Sequence, residues 1–113
     1  MTTTRTIVQG LTSAAFFAAG GMKLAGGMAD EFERFGYPQW VRMAVASGEV
    51  AAATGLAAGL LGKRRFERPA GALLAATMAG AAYTHLVRTD DGLARAAAPL
   101  TLGSLSAWIA AGE

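Results

Sequence analysis

The chain has 113 residues, enough for one domain. It is 53% hydrophobic and 16% charged, with Lys and Arg totalling 10 against 8 Asp and Glu. That apolar content excludes disorder, the net charge of +2 is too small to point to nucleic acid, and the absence of Cys excludes disulfides, thiol catalysis and Cys-ligated metal centres.

The charges are unevenly placed. Thr6 to Met22 and Ala96 to Gly112 carry none, Pro69 to Val87 carries one His, and Met43 to Gly62 carries only Glu49. A helix crossing a hydrocarbon core of about 30 Å needs roughly 17–25 such residues. A soluble amphipathic helix would show a charge on its outer face every turn or so. The pattern predicts an all-α, four-helix transmembrane bundle running up-down-up-down, with spans at about 6–27, 41–62, 69–88 and 96–112. The first span exceeds the usual apolar stretch of a signal peptide, about 7–15 residues, and reads as retained.

Pro38 is expected to precede the second span, Pro69 to open the third, and Pro99 to lie in the first turn of the fourth, where proline costs no hydrogen bond. The longest connection, Gly26 to Trp40, ends in Tyr37 and Trp40, aromatic residues suited to the headgroup layer. Lys63 to Arg68 reads as a tight basic turn. Asp90 and Asp91 fall in the last loop. Gly48, Ala52, Gly55, Gly59 and Gly62 form one stripe on the second helix, including a GxxxG pair. Small residues of this kind let helix backbones approach closely, within the bundle or between the protomers of a homodimer. Basic residues divide evenly between the two sides. The compact basic turn favours both termini in the cytoplasm, in the plasma (inner) membrane.

Ionisable residues inside a span are costly and point to function. Glu49 lies roughly 12 Å below the outer end of the second span, Lys23 about 6 Å below that of the first, and Tyr83 and His85 roughly 5–8 Å below that of the third, at 1.5 Å per residue. All four fall in one half of the membrane. Lys23 and Glu49 could form a structural ion pair, or Lys23 could reach the headgroups. Alternatively, Glu49, His85 and Lys23 are candidate proton-transfer groups. Tyr83, Tyr37, Trp40, Met22 and Met78 are candidate ligand contacts, although each also suits lipid or core packing. One His and one buried carboxylate fall short of a metal site. Phosphate-binding, dinucleotide and nucleophile-elbow motifs are absent.

Several short motifs follow one another in order along the chain. They are Gly21-Met22-Lys23-Leu24, Phe35-Gly36-Tyr37-Pro38-Gln39-Trp40, Gly48-Glu49 with the small-residue run to Gly55-Leu56, Met78-Ala79-Gly80-Ala81, and Thr84-His85. In this set the chain resembles the DoxX-like family of small four-span membrane proteins. The resemblance implies that Lys23, Pro38, Glu49 and His85 are characteristic positions. It also implies a link to membrane redox complexes, since some relatives are subunits of thiosulfate:quinone oxidoreductase, while more distant ones resemble chaperones or cargo receptors. Without Cys, a thiol redox step would need a partner's sulfur. Without His pairs, bound haem is not expected.

Three functions follow as expectations. The first is a redox-associated subunit that binds a quinone or other lipophilic small molecule in the outer half of the bundle, with no covalent cofactor. The second is a stand-alone membrane enzyme doing acid–base chemistry, such as isomerisation, cyclisation or epoxide opening, on an apolar substrate. The third is a non-catalytic scaffold or assembly factor. The expected partners are the bilayer, the lipophilic molecule and a redox protein.

Overall fold

The structure is a computed structural model that describes residues 2–89 and 91–111. Asp90, expected in the last loop, and Gly112, expected to end the fourth span, lie outside the described residues. Five α-helices follow one another: α1 (Thr3–Leu24), α2 (Ala29–Phe35), α3 (Gln39–Leu60), α4 (Glu67–Tyr83) and α5 (Gly92–Ala111). A 3-10 turn (Arg64–Phe66) leads into α4, and a π-helical turn (Thr84–Arg88) continues it. No strand occurs among the described residues.

The helix ends follow from local chemistry. The Thr2 hydroxyl caps α1 by accepting from the Arg5 N–H at 3.1 Å. Pro38 caps α3, and Pro69 lies in the first turn of α4. Gly36 and Gly62 take left-handed backbone, with φ of 84° and 101°. There they stop α2 and α3, closing the last carbonyls with the N–H groups that follow them. Pro99 differs from expectation. Because α5 starts at Gly92 rather than near Ala96, Pro99 lies inside the helix, and its ring removes the N–H that would reach the Arg95 carbonyl.

The four long helices pack with antiparallel register. Gln9 bonds Leu56, Ser13 bonds Ala53, and Lys23 reaches Glu49, so α1 runs against α3. Gly55 faces Ala70 and Gly59 faces Glu67, so α3 runs against α4. Gly71 abuts Ser106 and Ala110 while Gly103 faces Met78, so α4 runs against α5. The glycine stripe of α3 thus serves packing inside the chain at Gly55 and Gly59. Phe16, Ala52, Ala53, Leu56, Ala70, Leu74, Met78 and Ile109 form the core.

Two helical stretches, Gln39–Leu60 and Arg64–Arg88, have the length and composition to cross a membrane. Their 22 and 25 residues extend about 33 and 37 Å at 1.5 Å per residue. Of the four expected spans, these two, the second and the third, meet that test among the described residues. α1 is more polar, and its polar residues point inward. Arg5, Gln9, Thr12, Ser13 and Lys23 are buried, at spacings that put them on one face of a helix. Meanwhile Ile7, Leu11, Phe17, Met22 and Leu24 are exposed on the same helix.

Candidate functional site

A cavity of about 440 Å³ opens between α2, α3, α4 and the π turn, a size that fits a small molecule. Phe32, Phe35, Val41, Val45, Met78 and Ala81 supply apolar wall. Lys23, Tyr37, Glu49, Thr77, Thr84 and His85 supply the polar groups.

Lys23 and Glu49 meet because α1 and α3 approach closely where Gly20 packs on the Ala46–Val50 backbone. Lys23 Nζ donates to Glu49 Oε1 at 2.8 Å, and both side chains are buried. Arg42 donates to the Lys23 carbonyl and so ties the end of α1 to the start of α3. Glu49 Oε2 is buried and has no hydrogen-bond partner. Removing two charges from a high dielectric is costly; Arg5 Nε and Gln9 Oε1 are likewise buried without a partner elsewhere in the bundle.

The π turn places the second group. Widening the helix after Tyr83 puts Thr84 and His85 at the cavity; such turns recur at functional sites. The Thr84 hydroxyl donates to the Gly80 carbonyl at 2.9 Å and lies 2.9 Å from the Tyr37 hydroxyl. His85 Nδ1 lies 2.7 Å from Asp91 Oδ2. Asp91 also accepts from both Arg34 guanidinium nitrogens, at 3.1 and 2.9 Å, and from the Thr89 hydroxyl at 2.9 Å. Arg34, then His85, hold the Asp91 carboxyl well below the usual carboxylate range. Facing an ionised carboxylate, His85 Nδ1 carries its hydrogen and donates it. In the neutral ring, Nε2 is then the acceptor.

Helix α2 forms one wall. Phe35 packs edge-on against the His85 ring at 5.4 Å between centroids, and Phe32 and Tyr37 complete an aromatic cluster. Arg88 lies over the Tyr37 ring at 4.6 Å and donates to the Phe35 carbonyl. Met28, in the left-handed region with φ of 66°, brings its side chain to the same cavity.

Of the residues expected from sequence, Lys23, Glu49, His85, Tyr37 and Met78 line this one cavity. Tyr83, Trp40 and Met22 do not; they are 53%, 70% and 51% exposed on the outer surface. Tyr83 precedes His85 by two residues, which on a helix turns it to another face. Asp91, Arg34, Phe32, Phe35 and Thr84 were not among the expected site residues. The Phe32–Phe35 spacing followed by Gly36 was the available signal for α2.

A second polar group lies at the far end of α1. Gln9 Nε2 donates to the Leu56 carbonyl and to Glu67 Oε2, both at 2.9 Å. Glu67 is buried there, with Arg64 at 3.7 Å, and Gly59 leaves it room. The expected basic turn therefore hides a buried acid.

Polar groups buried within and large apolar groups spread over the outside define a helical protein suited to a lipid environment. Its sequence matches the profile of the DoxX-like family over residues 7–109. The chain belongs to that family, whose members are associated with membranes. Comparison with curated proteins and with solved structures finds no match.

Proposed function

We propose that the chain is a multi-pass membrane protein that holds a quinone or other lipophilic small molecule in the cavity between α2, α3 and α4. In this reading α1, α3, α4 with its π turn, and α5 are four up-down-up-down spans of the plasma (inner) membrane. The exposed basic turn, Lys63 to Arg65 with Arg68, and both termini face the cytoplasm, as the positive-inside rule favours. Trp40, exposed at the start of α3, then sits in the opposite headgroup layer.

One observation carries the reading: the cavity wall is largely apolar, yet the buried Lys23–Glu49 ion pair and His85 are set into it. A ligand with an apolar body and one polar head fits that combination. Membership of the DoxX-like family favours a role beside membrane redox proteins, with Glu49, Lys23 and His85 contacting the ligand head. A second reading, acid–base catalysis on an apolar substrate, draws on the 2.7 Å His85–Asp91 contact. An imidazole held in place by a carboxylate is equipped to exchange a proton with a substrate.

The test is native mass spectrometry with lipid extraction on detergent-purified protein, comparing wild type with Glu49→Gln. A quinone or other apolar small molecule, retained by wild type and lost by the variant, is the expected result. Bulk phospholipid alone in both proteins, with the variant less stable, would overturn the binding reading. It would leave a scaffold held together by an ion pair.

A further inference from the structure

We infer that the cavity recognises a hydroxyl group on its lipophilic ligand, in preference to a carbonyl or an ether. The inference rests on the small-molecule reading of the cavity and names its ligand's head group.

The argument is an account of donors and acceptors. The Thr84 hydroxyl gives its hydrogen to the Gly80 carbonyl. At the 2.9 Å contact with Thr84 Oγ1, Tyr37 is therefore the donor. Thr77 gives its hydrogen to the Leu73 carbonyl at 2.8 Å. All three cavity hydroxyls have thus committed their hydrogens. His85 has committed Nδ1–H to Asp91. Lys23 uses one N–H on Glu49 Oε1 and is the remaining donor, since an ammonium carries three. Glu49 Oε2 is an acceptor with nothing to accept.

A carbonyl or an ether oxygen can only accept. It could meet Lys23, but it would bring no donor to Glu49 Oε2, and a buried unsatisfied acceptor is penalised. A hydroxyl accepts and donates at once. It can take an N–H from Lys23 and, with a small turn of the Glu49 side chain that brings its buried Oε2 to the cavity, give its own hydrogen to that oxygen. A site built to hydrogen-bond a hydroxyl discriminates strongly against the analogue lacking it. Applied to a quinone couple, the same logic favours the reduced, dihydroxy form.

The experiment uses 4-hexylphenol, its methyl ether 4-hexylanisole, and 4-hexylbenzaldehyde. Each is bound to the purified full chain at neutral pH and at matched mole fraction in the micelle. The expected result is at least about tenfold tighter binding of the phenol than of the ether or the aldehyde. In Lys23→Met/Glu49→Leu, which removes both charges together, the preference should fall to within about twofold. Equal binding of the three probes, or a preference for the aldehyde, overturns the hydroxyl assignment and leaves the cavity reading standing. A preference that persists in the double variant also overturns it. Binding of none of them overturns both. If the double variant fails to fold, the wild-type comparison still decides.

Discussion

His85 and Asp91 meet at 2.7 Å, across the junction between the π turn and α5. Through Arg34, Asp91 is also bonded to α2, so one carboxylate both orients the imidazole and fastens a wall of the cavity. Its effect on pH stability has a definite sign. The folded state holds the Asp91 carboxyl below its usual value, through Arg34 first and His85 second. Such a group binds fewer protons folded than unfolded in the acid range. Its stabilisation is therefore complete above about pH 4–5, where the unfolded carboxyl is ionised, and is lost as the pH falls towards the folded value. Asp91→Asn is best made in a His85→Gln background, so that the imidazole does not titrate. The difference in melting temperature between the two proteins should be constant from pH 7 to about 5 and shrink below about 4. A difference that grows on acidification would refute this account.

The Lys23–Glu49 pair gives a second prediction. Removing one partner strands a buried charge and typically costs about 3–5 kcal/mol, while an apolar replacement of both is often neutral or better. Lys23→Met alone and Glu49→Leu alone should each destabilise the protein markedly. The double variant should recover most of the loss. Unfolding by SDS in mixed micelles measures all four corners of the cycle. Recovered stability together with lost ligand retention would separate the pair's structural part from its binding part. A double variant as unstable as the singles would show that the pair's hydrogen bonds, and not charge compensation, hold the helices.

Much of this arrangement was legible in the sequence. Uncharged runs gave the long helices, Pro38 and Pro69 marked two helix starts, and the matching depths of Lys23, Glu49 and His85 anticipated a shared cavity. Helix α2 was not legible as a helix. Seven residues carry too little periodicity to register, and so short a helix is held by tertiary packing of Phe32 and Phe35 rather than by propensity. Asp91 and Glu67 read as loop acids because their partners, Arg34 and Gln9, are distant in sequence. The inward polar face of α1 was obscured by counting charges alone. Arg5, Gln9, Thr12 and Ser13 recur at helical spacing, but three of the four carry no charge. Tyr83 matched the site in depth but not in direction, and depth does not specify a helix face.

Gln9 and Glu67 provide a third prediction. The Gln9 amide is the neutral donor that meets the buried Glu67 carboxylate, and Arg64 is farther off, at 3.7 Å and half exposed. Gln9→Leu removes that donor and leaves a buried carboxylate short of a hydrogen bond, a loss of about 1.5–3 kcal/mol for a bond to a charged group. Gln9→Leu combined with Glu67→Gln should recover part of it, because the neutral amide is cheaper to bury. The readout is SDS unfolding of the single and double variants. A single variant within about 0.5 kcal/mol of wild type would mean that Arg64 and water already satisfy Glu67.

Adjacent glycines supply the sharpest contrast. A Cβ at Gly20 would lie 2.7 Å from Val50 Cγ2 and 3.0 Å from the Ala46 carbonyl oxygen, whereas one at Gly21 meets nothing within 4 Å. At Gly71 the obstruction is backbone, with the Ser106 oxygen at 2.7 Å and the Ala110 nitrogen at 2.8 Å. No rotamer change relieves it, so α4 and α5 would have to part. Gly71→Ala and Gly20→Ala should each cost about 1–3 kcal/mol, the usual range for overpacking. Gly20→Ala should also weaken ligand retention, because the α1–α3 approach at Gly20 sets the Lys23–Glu49 distance. Gly21→Ala removes a flexible helix-interior glycine without a clash and should stabilise by about 0.5–1 kcal/mol. Melting curves of the three single variants decide the matter. Equal effects at Gly20 and Gly21 would place the α1–α3 contact on a different face of α1.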